Sequence, residues 1–510
     1  MKRALLLLLF LPLPSVPVTP PRLRAMTGSV DVRRLHPMVA AEEDEKPDAP
    51  MPTPGDLPVP ADAIRSHAVE PVTSSDIVYS PPVTLQSFAA LDDDNSVSPP
   101  DTNGAVGPAH VVTVLNMAIR IQDRSGTVLR TVSIRDFFES VRKSGIVADP
   151  HIVFDARANR WLICAVTLQL SPLHAGSAVL FGISRTGDPT LGWDLDRLDA
   201  PEADRWLDFP QLGYDDASIV ISANLYALSD NKFVRATVFV IDRADPTGVY
   251  TRLDHATDGG GSLSPTVSLD AGNRTFLVQT WNGNLENSGY VRLYSVTAAG
   301  IVPIAFAQTT TTWALVGSKD DFAPQLGRSE KIDTGDSRMT SAVLRNGNIW
   351  AAHTIFVPAA APVRSAVSWW RLAPDGGIVA RGTIEDLSST FYYARGSIAV
   401  NRNGAALIGC SRFSAGTHPS AVYTFVGAGA PQPVVFKEGE SSFVKPGGIV
   451  PNRWGDYSAA CVDPTNDLDF WTIQEYAATP EPAFNRWGTW WARVAAPTIL
   501  TAPPRRRAVR

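Results

Sequence analysis

One pattern recurs along most of this 510-residue chain and limits what it can fold into. A polar or proline-containing entry leads into a short apolar strand, a tight Asp/Asn/Gly turn, and a second, more apolar strand. The plainest copies are Asp149-Pro150-His151-Ile152-Val153-Phe154-Asp155, Phe209-Pro210-Gln211-Leu212-Gly213-Tyr214-Asp215, Ser264-Pro265-Thr266-Val267-Ser268-Leu269-Asp270 and Arg395-Gly396-Ser397-Ile398-Ala399-Val400-Asn401. In each, the Asp or Asn of the turn stands six residues after the entry residue. Weaker copies enter at Asp101-Thr102-Asn103-Gly104, at Asp336-Ser337-Arg338 and at Trp454-Gly455-Asp456-Tyr457. Outer strands follow each pair, as at Thr237-Val238-Phe239-Val240-Ile241. A spacing of about 50–60 residues allows one four-stranded unit per copy, and such a unit cannot bury its own sheet alone. The expected fold is therefore all-β: a single β-propeller of four-stranded antiparallel blades, seven by this count. Six or eight blades stay open because residues 301–334 are ambiguous. A two-sheet sandwich is the alternative, but it does not predict hairpins in so regular a register.

Composition agrees. Charged residues are 19% of the chain, and Gly (37), Pro (41) and Trp (13) are frequent, which favours short strands and turns over helices. A net charge of −6 argues against a nucleic-acid binder, which normally carries a basic face. Lys2 and Arg3 before the apolar run from Ala4 to Leu13 read as a signal peptide, assigned to residues 1–25. The run is too short to span a bilayer, and no later stretch is long and apolar enough to do so. Residues 26–80, with Glu42-Glu43-Asp44-Glu45 and many prolines, read as a disordered leader, 81–499 as the propeller, and 500–510 as a disordered basic tail. The expectation is thus a secreted or cell-surface monomer. Three cysteines do not make a disulfide framework; Cys164 reads as core, and Cys410 and Cys461 as separate thiols or, in an oxidising compartment, a pair.

Several longer motifs also match a known group. Ser98-Pro99-Pro100-Asp101-Thr102-Asn103-Gly104-Ala105-Val106-Gly107-Pro108, Arg453-Trp454-Gly455-Asp456-Tyr457-Ser458, the run from Asp467 to Tyr476, and Trp487-Gly488-Thr489-Trp490-Trp491 resemble a family of secreted bacterial β-propeller proteins. The resemblance spans most of residues 85–495 and implies export and the propeller fold. It implies no established activity. Relatives are sometimes described as sialidase-like, but the S-x-D-x-G-x-T-W box of sialidases is not found in this sequence.

In a propeller, the start of each innermost strand and the end of the second converge on one face, so that face is the expected funnel mouth. Entries bring Asp101, Asn103, Asp149, His151, Gln211, Arg338, Asp456 and Tyr457; exits bring Asn224, Trp281, His353, Arg412 and Glu475. From these, Asp149, Asp456, Glu475, His151 and Tyr457 are candidate catalytic groups. Asp101, Asn103, Gln211, Trp281, Arg338, His353, Arg412 and Trp454 are candidate ligand contacts. Each also has a structural reading. Asp101 and Asp149 suit loop-capping Asx turns, His151 a bond to a neighbouring blade, and Trp281 packing between blades. Arg338 and Arg412 suit ion pairs with Asp456 or Glu475. Calcium is a weaker candidate, at Asp463, Asn466, Asp467 and Asp469, where turn chemistry alone explains the residues; otherwise no cofactor is expected.

Three functions compete. The first is an exported module binding an extracellular glycan or peptide at the mouth, with Trp281, Trp454 and Tyr457 stacking on sugars. The second is a carbohydrate-active enzyme (a glycosidase, or a lyase or sialidase-like catalyst). A glycosidase needs two carboxyl groups about 5–9.5 Å apart. The third is a ring that serves only as a protein-interaction scaffold.

Overall fold

The computed structural model describes residues 20–38, 63–67, 77–143, 145–168, 176–246, 248–255, 262–317, 322–427, 431–445, 452–482 and 484–501. The fold is an all-β propeller. Helix among the described residues is confined to single turns, Val32–Arg34, Ile134–Phe137 and Glu139–Arg142.

Alternation along the strands explains the architecture. In the strand Arg160–Leu168, Trp161, Ile163 and Ala165 join one apolar cluster with Val112 and Ile121, while Leu162, Cys164 and Val166 join another with Leu212 and Ile221. Successive side chains leave a strand on opposite faces, so a strand apolar at every position has both faces covered. Here the covers are the neighbouring meanders on either side. Other clusters repeat the arrangement, as where Trp369 and Val367 meet Ile398 and Ile408. The core is thus a series of intersheet layers around a ring. Full burial of one such side chain contributes about 1.5–3 kcal/mol.

The strands are grouped less evenly than the sequence suggests. Five sheets of four or five strands stand as discrete blades, built on the meanders 103–133, 146–199, 264–309, 392–437 and 459–494. The meanders 205–255 and 339–384 instead belong to one ten-stranded sheet. This corrects the expectation of seven separate blades. The inner strand divides at Thr266, whose carbonyl accepts the Tyr214 N–H (3.1 Å) of another meander, into Ser264–Pro265 and Val267–Ser268. The first piece stays with its own blade through Val278 and Leu277. The second turns aside and pairs in parallel with Tyr214 on one side and Val343 on the other, fusing those two meanders.

The ring closes between segments from the two ends of the chain. Thr84–Asp92 is the outer strand of the sheet that holds Phe484–Val494, with Trp491 opposite Phe88.

The leader expectation is corrected. Arg22–Arg24 adds to the outer edge Val249–His255, and Met26–Asp31 to Gly192–Asp199. Arg65–His67 pairs in parallel with Gly300–Thr309, and Ile77–Tyr79 pairs antiparallel with Ile499–Thr501 in a separate two-stranded sheet. The first three pieces cover outer edges that would otherwise present unpaired N–H and C=O groups. They therefore belong to the body, and the assigned boundaries at residues 25, 80 and 500 do not hold there. The apolar run 4–13, the acidic run 42–45 and the tail 502–510 lie outside the described residues.

Candidate functional site

The innermost strands enter the ring through a repeated backbone device. Asp101, Asp149, Phe209, Ser262, Gly335, Arg395 and Gly455 all take positive φ, between 50° and 114°. Where the following strand is long, its register slips at that point, as between Ala148 and His151, Asp208 and Gln211, and Ala394 and Ser397. Five of these residues are not glycine, and each left-handed residue costs about 1–2 kcal/mol. Side chains from other meanders hold them in place. Asn116 Oδ1 accepts the Asp149 N–H (2.7 Å), Asp149 Oδ2 accepts the Phe209 N–H (3.1 Å), and Asn224 Oδ1 accepts the Ser262 N–H (2.6 Å). Thr354 Oγ1 accepts the Arg395 N–H (3.0 Å), and Asp101 Oδ1 accepts the Asp456 N–H (2.8 Å). Asp101 Oδ2 also takes Asn116 Nδ2 at 2.7 Å. Asp101 and Asp149 therefore act as caps that link one meander to another.

Beside the caps lies a charged cluster. Arg338 is fully engaged by Asp336 (Nη2 to Oδ2 2.7 Å), not by Asp456 or Glu475 as expected, because that loop carries its own carboxylate two residues away. Asp456 lies between Arg395 (2.9 Å) and Arg453 (2.9 Å). Two glycines make the cluster possible. A Cβ on Gly335 would stand 2.3 Å from Arg395 Cζ, and one on Gly455 would stand 2.9 Å from Glu475 Oε2. Glu475 is buried, and its Oε1 has no hydrogen-bond partner among the described residues. Burial, then the negative charge of Asp101, pushes its pKa well above the usual carboxylate range, against the pull of Arg395. Burial thus favours the protonated form of Glu475, while Asp456 is held beside two guanidinium groups. Burial, with Asp149 and Asp456 nearby, likewise drives the Tyr457 hydroxyl well above its ordinary value, which removes it as a phenolate nucleophile.

Aromatic rings roof the central channel at this level. His151 meets Tyr457 (ring centroids 4.4 Å apart), Tyr457 meets Phe209 (4.7 Å), and the Arg338 guanidinium covers Phe209 (4.3 Å). Below the roof is a cavity of about 350 Å³. Asn103, His151, Gln211, Ser264, Thr340, Ser397 and Ser458, each from a different meander, line its upper end. Five of them stand two residues after a left-handed entry residue, which sets them at one level. The waist is apolar, with Ala105, Ile152, Leu212 and Ile398, and Cys461, partly buried against the cluster of Val106 and Trp471, also lines it. At the far end, on the face of the hairpin turns, Arg157, Arg345, Pro464 and Asp467 line it. The cavity therefore runs toward the turn face, opposite to the mouth expected from sequence.

Of the candidate catalytic groups only His151 lines the cavity; Tyr457 belongs to the roof, and Asp149, Asp456 and Glu475, with the candidate ligand contact Arg338, lie beyond it. Asn103 and Gln211 do line it. Burial pulls the His151 pKa down to about 4, so the ring is neutral at physiological pH. Four expected contacts are structural. Trp281 is buried against Phe306 and Arg292 in its own blade. Trp454 is buried between Phe413 and Phe443 and donates to Ser411 Oγ (3.0 Å). His353 is fully buried: Trp370 Nε1 donates to its Nε2 (3.2 Å), and its Nδ1 faces the Ser337 carbonyl (3.0 Å). Arg412 covers Phe391 and lies 3.5 Å from Glu438, not Asp456 or Glu475. A strand exit fixes where a residue stands but not which face its side chain takes.

The calcium candidates are spent otherwise: Asp463 on Arg124 and Trp471 Nε1, Asp467 on Arg345, and Asp469 on Arg493. Among the described residues no group of three or more His, Cys, Asp or Glu is arranged for a metal ion, and no helix is long and apolar enough to cross a membrane. All three cysteines are free thiols.

Sequence reading missed Arg395, Asp333 and Arg453 as members of the cluster. The repeated Gly-Asp pair, at Gly335-Asp336 and Gly455-Asp456, was the available signal.

No protein-family model and no curated protein matches the chain. Solved structures similar to it include a protein of unknown function from Dyadobacter fermentans, with 9% identity, 69% of this chain and 94% of that one covered, and TM-score 0.37. Another is the Penicillium chrysogenum alpha-L-arabinanase complexed with arabinobiose (10% identity, 81% and 99% covered, TM-score 0.40). A third is the parainfluenza virus 5 hemagglutinin-neuraminidase ectodomain (10%, 71% and 85%, TM-score 0.37). Likeness at that level says nothing of what this chain binds.

Proposed function

We propose that this protein is an exported binding module that takes the end of a glycan into its central cavity from the hairpin-turn face. The observation that carries this reading is the collar of uncharged hydroxyl and amide side chains, with neutral His151, at the deep end of a cavity of about 350 Å³. That size falls within the usual range for small-ligand pockets, roughly 300–1,000 Å³. Uncharged groups from several separate strands suit a ligand that is polar all round and carries no charge. Export rests on Lys2, Arg3 and the apolar run that follows, and on the motif resemblance.

Catalysis is the weaker reading. Glu475, whose burial favours the acid form, beside Asp456, which pairs with two arginines, is the kind of carboxyl pair that glycosidases use. Both, however, lie beyond the aromatic roof, whereas Asp467, paired with Arg345, is the sole carboxylate among the described residues lining the cavity.

Cys461 supplies the test. Cys164 and Cys410 are fully buried, whereas Cys461 is only partly buried and lines the cavity. Its labelling by a small mercurial should slow in the presence of a bound oligosaccharide, and Gln211→Leu should weaken that protection. A panel of extracellular glycans, none of which protects Cys461, would remove the proposal. Sugar release from any of them would restore the enzyme reading.

A further inference from the structure

Among the described residues four lysines reach a carboxylate, and three of those carboxylates, on Asp199, Asp230 and Glu440, are a third or more exposed. The fourth pair is different. Lys445 Nζ is in direct contact with Asp93 Oδ2, and the Asp93 side chain is 0% exposed. Asp93 follows the closing strand Thr84–Asp92, whereas Lys445 stands between the strands Val434–Lys437 and Ala459–Val462. Both oxygens of the carboxyl group are fixed. Oδ1 accepts the Asn95 N–H at 2.8 Å, and Oδ2 accepts the Trp487 N–H at 3.4 Å. The amine is fixed as well. Lys445 Nζ donates to Asn95 Oδ1 at 3.1 Å, 350 residues away in sequence, and lies over the Phe484 ring.

A buried ion pair is costly, because both charges lose their hydration. Passing one proton from nitrogen to oxygen leaves a neutral amine against a neutral carboxylic acid, which a low-dielectric site tolerates better. Burial moves Asp93 that way: its pKa is raised even against the charge of Lys445. Glu475 is coupled electrostatically to both groups, and burial favours its acid form, so it adds little negative charge that would hold Lys445 as the ammonium.

We infer that Lys445 and Asp93 are joined by an isopeptide bond that forms spontaneously in the folded chain. The neutral Nζ attacks Asp93 Cγ and makes the C–N bond. The negative charge that develops on Oδ1 falls on the Asn95 N–H, the kind of donor that stabilises a tetrahedral intermediate. Oδ2, already carrying the acid proton, takes a second from the nitrogen; the Cγ–Oδ2 bond breaks, the carbonyl at Oδ1 re-forms, and one water molecule leaves. The step needs no oxidant or co-reactant. Between separate molecules such a condensation runs toward hydrolysis. Holding the two groups in contact supplies an effective concentration on the order of 10⁵ M or more, which favours the bond. The link seals the ring where it closes, tying the strand Thr84–Asp92 to the segment that leads into the last meander.

The experiment is a peptide map of the purified full chain after denaturation, read by mass spectrometry. The expected result is one branched peptide joining the segments that carry Asp93 and Lys445, lighter than the two together by one water molecule. Lys445→Arg keeps the charge but not the nucleophile, since a guanidinium stays protonated. It should give two separate linear peptides and should migrate behind the wild type on a denaturing gel, because a cross-linked chain stays more compact when unfolded. Linear wild-type peptides with Asp93 and Lys445 intact overturn the inference and leave an ion pair. A water loss that maps to Asp93 without Lys445, as in a cyclic imide, overturns it too. The wild-type map decides the matter even if Lys445→Arg does not fold.

Discussion

The two faces of the ring carry similar residues and use them in opposite ways. On the entry face, carboxylates are buried and accept backbone N–H groups from other meanders, as Asp101 and Asp149 do. On the turn face, Asp216 and Asp467 lie nearer solvent and take arginines from other hairpins. Arg157 reaches Asp216 at 2.9 Å with both side chains about a third exposed, and Arg345 reaches Asp467. Both rings tie the meanders together. A carboxylate that caps a buried amide cannot be removed without leaving that amide unsatisfied, at about 1–3 kcal/mol. An exposed ion pair contributes about 0–1 kcal/mol and is screened by salt. The entry-face caps are therefore desolvated contacts, whereas a pair such as Arg157–Asp216 on the turn face is a replaceable one.

The sharpest test of this contrast is a matched pair of glycines. Gly335 has φ 75° and abuts Arg395, whereas Gly404 has φ 80° and its nearest neighbour, Asn346 Nδ2, lies 3.6 Å from an added Cβ. Gly335→Ala should cost about 3 kcal/mol in chemical denaturation, from left-handed strain plus overpacking; Gly404→Ala should cost only about 1 kcal/mol, from strain alone. Equal costs would break the comparison.

A second test uses pH. Glu475 has its folded-state pKa raised, so between its ordinary value and the folded one the native state holds a proton that the unfolded state has lost. Wild-type stability should then fall as pH rises above about 4.5. Glu475→Gln should flatten that slope and leave the variant the more stable of the two under alkaline conditions. Unchanged slopes across a pH series of melting curves would mean that Glu475 is ionised in the fold.

The smallest effect is expected on the turn face. Asp216→Asn should cost less than about 1 kcal/mol, and the loss should shrink further in molar salt. A loss that salt leaves intact would place Asp216 with the entry-face caps.

Much of the fold could be read because hairpin chemistry is local. An Asp or Asn six residues after an entry marks a turn wherever it occurs, and the inner strands were found at their true positions. The fusion of two meanders could not be read: Ser264-Pro265-Thr266-Val267 has the outline of its sister motifs, and only a partner strand beyond it reveals that Val267 bonds to another sheet. The edge-completing pieces at Arg22–Arg24 and Met26–Asp31 were equally silent, since a strand half open to solvent needs no apolar periodicity. For the site, position along the chain was informative and orientation was not. Asn103, His151 and Gln211 reach the cavity, while Trp281, His353 and Trp454 point into cores because a large ring at a strand end packs wherever apolar partners surround it.

Ring closure also has a temporal side. Leu91 and Thr489, joined by two hydrogen bonds, stand 398 residues apart in sequence. The strand Thr84–Asp92 is thus synthesised long before the partner that completes its sheet, and Arg22–Arg24 likewise precedes the edge it covers. Until the C-terminal strand emerges, these early segments have no native place to go, so the chain cannot mature one blade at a time from its first residue. Contacts of such long range make folding slow and leave strand edges open meanwhile. For this molecule, assembly is an event that follows synthesis, with the first and last strands as its final step.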